Sequence, residues 1–190
     1  MTTLAGIQGK GWCVIGAESK ISDDSGVYVI TPSPKVFWNN NILIAGCGSV
    51  RGLNILEHGF DAPHYDPGYK AEMYLTREFI PEMRKLYIEH GSDMKDYDTV
   101  ATMENGLLVG VGGRLFSIGG DYSWDQNASG LYHYGSGGPY ALGAMVALRG
   151  DRAKTVEEAN EIVINAVGAA IKCDVFSGGK VSTFVQYAGD

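Results

Sequence analysis

Thr2 directly follows the initiator methionine. If Met1 is removed, that threonine carries a hydroxyl nucleophile and a free α-amine on one residue. A hydroxyl needs a base before it can attack. An α-amine titrates near pH ~7.7–8.0 and can accept a proton at neutral pH, where an ordinary lysine cannot. Such a start is common and is weak evidence on its own. Lys35 sits between Pro34 and the apolar run Val36-Phe37-Trp38, which can draw its head inward. Most such lysines keep the ammonium in water, but a buried one would lower the pKa of its neighbours by charge. Glu18 ends a hydrophobic run, where a lone carboxylate is usually solvated surface. Asp174-Val175-Phe176-Ser177-Gly178-Gly179 reads by itself as a helix C-terminus with glycine caps.

Tyr134-Gly135-Ser136-Gly137-Gly138-Pro139 joins a strand to a helix N-terminus, where backbone N–H groups and a positive dipole end are on offer. A phosphate cradle is one reading, but the spacing is not GxGxxG and no Gly-Lys-Ser/Thr follows. A serine nucleophile elbow is another, but it needs glycine where Tyr134 stands. Ser136 can also serve as a hydrogen-bonding helper to another nucleophile, or simply cap a turn.

The elements that must position these residues read as blocks. Residues 3–8 and 12–18 form strands around a Gly9-Lys10-Gly11 turn. Residues 27–30, 35–38 and 42–45 add strands, so the first 46 residues read as one antiparallel meander. A short helix covers 50–58. A loop rich in Pro, Asp and Gly follows, then a long helix over 69–90 kinked by Pro81 and closed by Gly91. Strands return at 99–103, 106–112, 115–118 and 130–133, with Asn105-Gly106 and Gly112-Gly113 as hairpin signals. Helix resumes over 139–148. Thr155-x-x-Glu158 is a capping box opening another helix, and a strand over 181–187 ends the chain. This order predicts an α+β fold, a four-layer αββα sandwich of two antiparallel sheets flanked by helix pairs, within a single domain spanning 1–190.

Composition narrows the partners. The chain has 190 residues, 45% hydrophobic and 19% charged, with net charge -7. No basic stripe exists to meet a phosphate backbone, so nucleic acid is excluded as a partner. No apolar run approaches the ~20 residues that span a bilayer, and Gly6, Gln8, Gly9 and Lys10 break the stretch a secretory leader would need. Cys13, Cys47 and Cys173 form no CxxC pair or metal spacing and read as buried free thiols. A reducing cytoplasm fits these features.

Taken together, the chain resembles the N-terminal-nucleophile hydrolases of the proteasome β-subunit and HslV peptidase family. Thr2-Thr3-x-x-Gly6-Ile7 is similar to the family's mature start. Glu18 falls where the family usually has Asp, and Lys35 on the family's lysine. Ile44-Ala45-Gly46 falls on the segment whose glycine N–H forms the oxyanion hole. Gly135-Ser136-Gly137-Gly138-Pro139-Tyr140-Ala141 is very close to the HslV motif, and Asp174 with Ser177 matches the proteasome pattern. Residues 59–98 fit both branches poorly. The resemblance implies a threonine-type endopeptidase: Thr2 as nucleophile after loss of Met1, Lys35 as electrostatic activator, Glu18 orienting Lys35, Gly46 as oxyanion donor. Ser136, Asp174 and Ser177 would hold the amine and a water, and loss of the Thr3 hydroxyl is expected to be mild. No cofactor is required, though some members hold a monovalent cation, Na or K, on backbone carbonyls, here those of Ile171, Asp174 and Ser177. The resemblance also implies stacked homo-oligomeric rings, fed with unfolded protein or peptide by an ATPase unfoldase. The long helix, with Met73, Tyr74, Phe79, Met83 and Tyr87, is the expected ring contact. A catalytically inactive ring subunit and a small-amide amidase are the alternatives.

Overall fold

The computed structural model describes residues 2–23, 25–96 and 100–190. Met1, whose removal is expected from the resemblance, and Thr99, the expected start of one strand, lie outside the described residues.

β1 (Leu4–Gly9) and β2 (Trp12–Glu18) form the expected hairpin, with Gly11 at φ 78° in its turn. The predicted meander then fails. β3 (Lys20–Ser22) and β4 (Tyr28–Ile30) pair only with each other, as an outlying two-stranded ribbon. The Thr31-Pro32-Ser33-Pro34 segment then carries the chain to a second sheet. Two prolines cannot donate ladder bonds, so the ribbon is not extended there. β5 (Val36–Asn39) and β6 (Ile42–Gly48) belong to that second sheet.

α1 (Val50–His58) opens on Ser49, whose hydroxyl accepts from Gly52 N–H. The long helix is not continuous. α2 (Ala71–Tyr74) passes into a π-helical turn over Leu75–Phe79 before α3 (Ile80–Glu89). Pro81 lacks an N–H and crowds the carbonyl four residues back, and a widened turn immediately before it is one of the few ways a helix absorbs that. β7 (Met94–Asp96) and β8 (Val100–Thr102) make a second small ribbon. β9 (Asn105–Val111) and β10 (Arg114–Ile118) turn on Gly112-Gly113 as expected. Asn105-Gly106, however, is no turn. It starts β9, where the buried Asn105 amide donates to the carbonyls of Cys47 and Ser49. β11 (Trp124–Asp125), β12 (Leu131–Tyr134), α4 (Gly138–Ala147), α5 (Val156–Cys173) and β13 (Val181–Tyr187) complete the chain. Thr155 caps α5 by accepting from Glu158 N–H, but the Glu158 carboxylate returns to Lys154 N–H, one residue before the expected partner.

The four-layer sandwich is as expected. One antiparallel sheet has the order β12-β1-β2-β13 and the other β11-β10-β9-β6-β5. Side-chain alternation builds three cores from them. Leu4, Cys13, Ile15, Leu43, Ala45 and Leu108 interdigitate between the sheets. Ala5, Ile7, Val14 and Val163 lie between the first sheet and α4/α5. Ile42, Ile44, Leu107 and Val109 lie between the second sheet and the helices of residues 50–89. Tyr74, Phe79, Met83 and Tyr87 are at most 1% exposed within that third core. Four of the five residues expected to form a ring contact are therefore consumed by this one chain's sheet, and Met73 is half-buried. Cys173 also departs from expectation: it is exposed at the end of α5, while Cys13 and Cys47 are buried.

Candidate active site

One end of the sandwich gathers polar groups from three strands. Thr2 precedes β1, Glu18 ends β2, and Lys35 precedes β5. All three are buried. The Lys35 ammonium donates to Thr2 Oγ1 at 2.9 Å, to Glu18 Oε1 at 2.5 Å, and to the Lys20 carbonyl. An ammonium has three protons, and each has an acceptor here. Burial pulls the Lys35 pKa below the usual lysine range, and the Glu18 carboxylate beside it opposes the fall.

Glu18 is 1% exposed, so it is not the solvated carboxylate that its place in the sequence suggests. Besides the Lys35 ammonium it accepts from Thr3 N–H (3.2 Å), Lys20 N–H (2.6 Å) and Gly178 N–H (3.1 Å). A buried carboxylate needs such partners to offset the cost of leaving water. Its longer arm, compared with the Asp expected from the resemblance, reaches all of them.

A second cluster adjoins the first. Asp174 Oδ2 accepts from Ser136 Oγ (2.7 Å) and Ser177 Oγ (2.6 Å), and Oδ1 from Phe176 N–H (3.2 Å). Ser177 spends its one proton on the carboxylate, so the 2.7 Å contact between Thr3 Oγ1 and Ser177 Oγ is donated by Thr3. Thr3 is 0% exposed and part of this network, so it is not the bystander expected from sequence. Gly135, at φ 80°, passes so close to the Thr2 carbonyl that a Cβ would overlap it. Gly137 N–H donates to that same carbonyl at 3.4 Å. The glycine-rich turn thus packs against the Thr2 backbone, and the Ser136 hydroxyl is turned to the Asp174 carboxylate. Ile171 is half-buried on α5, packed in the helix–sheet core. The Asp174 carbonyl accepts from Ser177 N–H. Among the described residues no His, Cys, Asp and Glu cluster suits a metal.

Burial alone would raise the Asp174 pKa, but the hydrogen bonds from Ser177, Ser136 and the Phe176 amide outweigh it and hold it below the usual 3.8. A carboxyl depressed on folding contributes stability that is complete above its unfolded pKa and is lost as pH falls through the folded one. Asp174→Asn is expected to cost about 1.5–3 kcal/mol at neutral pH, the worth of hydrogen bonds to a charged group. The Tm gap between wild type and variant should hold from pH 7 to 5 and narrow once pH drops below 3.8. Thermal melts across that range measure it, and a gap constant down to the acid limit would contradict the assignment.

The expected oxyanion donor is misplaced. Gly46 lies inside β6, its N–H donates to the Lys35 carbonyl at 3.4 Å, and Leu53 covers its Cα. Gly48 instead borders the cleft of about 170 Å³ that also holds Thr2 and Lys35. Its φ of 102° and the nearby Glu104 carbonyl exclude a side chain. Gly48-Ser49 directly before a helix was the available sequence signal.

Comparison with known proteins agrees with this fold. The chain is 28% identical over 196 residues to proteasome subunit beta type-6 of Arabidopsis thaliana, covering 97% of this chain and 76% of that protein. Among solved structures, Thiobacillus denitrificans BPH superposes with a TM-score of 0.78 at 23% identity, covering 98% of both chains. The same protein in complex with epoxomicin gives 0.77. HslV from Trypanosoma brucei gives 0.66 at 19% identity, over 98% of this chain and 99% of that one. The family model described as "Proteasome subunit" matches residues 1–185. With that match and this fold, the chain belongs to the proteasome subunit family.

Proposed function

We propose that the protein is a threonine endopeptidase whose nucleophile is Thr2 after removal of Met1. The observation that carries this reading is the 2.9 Å hydrogen bond from the buried Lys35 ammonium to Thr2 Oγ1. Thr2 Oγ attacks the peptide carbonyl, and its proton passes, through a water, to the Thr2 α-amine. The C–N bond breaks, the amine product leaves with that proton, and water then hydrolyses the ester on Thr2. Lys35 lowers the cost of the deprotonated hydroxyl by charge, and Glu18 orients Lys35. The Gly48 N–H, beside the N-terminus of α1, is the oxyanion donor in place of Gly46, a role worth roughly 2.7–4 kcal/mol in other proteases. Ser136, Asp174, Ser177 and Thr3 hold the chain start and the water. The sodium or potassium site on the carbonyls of Ile171, Asp174 and Ser177 remains part of the proposal.

The completeness of the buried constellation favours an enzyme over an inactive ring subunit. The open cleft beside Thr2 favours peptide over small-amide substrates. Incubation of the purified protein with casein and with epoxomicin, the ligand in the Thiobacillus structure, tests this. Casein fragments and an epoxomicin adduct mapped to Thr2 are expected. Intact casein and unlabelled protein from a sample shown to lack Met1 would overturn the reading.

Assembly into stacked rings in the cytoplasm, served by an ATPase, belongs to the same proposal. Support comes from a different surface than the long helix. α4 (Gly138–Ala147) has no charged residue although it forms an outer layer. Tyr140, Val146, Leu148 and, on α5, Ile164 are exposed. A helix apolar all round is normally covered, and a second copy is the expected cover. Light scattering at micromolar concentration should give a mass many times 20.4 kDa. A mass near the monomer's would exclude unaided ring formation. Among the described residues, no helix is long and apolar enough to cross a membrane.

A further inference from the structure

The cleft beside Thr2 has a polarity that the peptidase reading does not use. One wall is a single face of α1: Val50, Leu53, Asn54, Glu57 and His58 all line it. The spacing i, i+3, i+4, i+7, i+8 is that of one helical stripe, while Gly52 and Leu56, on the other side, are buried in the core. From Val50, next to Gly48, to Glu57 the helix axis advances about 10 Å. The wall therefore begins apolar near the nucleophile, where Phe37 faces it from β5, and ends in a carboxylate.

We propose that this cleft selects substrates with a long basic side chain, lysine or arginine, on the acyl side of the bond cleaved. This rests on the peptidase reading. The aliphatic stem lies along Phe37, Val50 and Leu53, and the cationic head meets Glu57. Long basic side chains divide in this way between apolar surface and a polar end. The Glu57 side chain is only 29% exposed, so water screens it less than a surface carboxylate. The His58 imidazole lies 3.8 Å away and is 72% exposed, a long and solvated contact that leaves the carboxylate available to a closer cation. Among the residues lining the cleft, the Lys35 ammonium is matched by Glu18 and does not oppose a basic substrate. An acidic side chain would meet Glu57 as a like charge, and the cleft's volume of about 170 Å³ compares with the roughly 150 Å³ that holds a benzene ring. Volume therefore admits medium and large side chains alike, and Glu57 is the feature that separates them.

The test uses fluorogenic peptides that differ only in the residue before the scissile bond, Arg, Leu or Asp, with the assembled protein lacking Met1. The Arg peptide should show the highest kcat/KM, on the order of tenfold above Leu and further above Asp. Glu57→Gln should lower the Arg-to-Leu ratio about tenfold, and Glu57→Lys should reverse the order of Arg and Asp. A wild-type preference for Leu or Asp, or an Arg-to-Leu ratio unchanged in Glu57→Gln, overturns the selectivity while leaving Thr2 chemistry intact. Cleavage of none of the three, together with no epoxomicin adduct at Thr2, overturns the peptidase reading and the selectivity with it. The wild-type ranking decides the matter even if a variant does not fold.

Discussion

Thr2→Ala is expected to reduce peptide hydrolysis by on the order of 10³-fold or more, because no other hydroxyl can take the same position. Ser136 and Ser177 are both committed to Asp174, and the Thr3 hydroxyl to Ser177. None of them faces the Lys35 ammonium, which donates to Thr2 Oγ1, Glu18 and the Lys20 carbonyl. The fold should survive, since alanine removes only a small hydroxyl and methyl from a position already packed against Gly135 and Gly137. Thermal melting and the oligomer mass should therefore match wild type while casein and fluorogenic peptides stay intact. Near-normal turnover in Thr2→Ala would show that the nucleophile is elsewhere.

Lys35 carries the next largest effect, in activity and stability together. Lys35→Ala removes the positive charge beside Thr2 Oγ1 and leaves Glu18 buried without its cation. Breaking a buried pair from one side costs about 3–5 kcal/mol in other proteins. The lower part of that range is expected here, because three backbone N–H groups still serve the Glu18 carboxylate. Activity should fall on the order of 10²-fold or more. Lys35→Arg keeps the charge yet should recover little of the activity. A planar guanidinium cannot direct protons to three acceptors grouped around one nitrogen, and it is wider than the space the ammonium fills. Urea unfolding and initial rates on the same preparations separate the two losses. Full activity in Lys35→Arg would mean that a diffuse positive potential suffices and that the three-way geometry is incidental.

Lys35→Arg also bears on what sequence could reveal. The types and order of the reactive residues were legible from it: a threonine after Met1, a lysine before an apolar run, Ser136 in its glycine turn, Asp174 and Ser177 after the last helix. So were the strand and helix blocks, because the short continuous apolar runs over 12–18 and 42–45 and the apolar stripe on 156–173 are local patterns. The Asn105-Gly106 pair misled for the same local reason. It has turn composition, and only the carbonyls of Cys47 and Ser49, far away in sequence, hold Asn105 in a strand.

Sequence by itself determined the layered fold, through the period of its apolar residues, and the chemical identity of the groups available for catalysis. Tertiary structure decided what those groups do. Glu18 is an exposed carboxylate by pattern and a fully enclosed one in fact, because the turn at Gly178 closes over it. Glycines 46 and 48 differ in sequence only in that Ser49 and a helix follow the second. Strand pairing occupies the N–H of the first with the Lys35 carbonyl, while the left-handed backbone of the second leaves it bordering the cleft. The aromatic residues of the long helix looked like an interface and proved to be core, since only the packed second sheet shows how much apolar surface that helix must cover. Periodicity is encoded between neighbours along the chain, whereas burial and hydrogen-bond assignment depend on residues far apart in sequence that meet only once the two sheets have closed on each other.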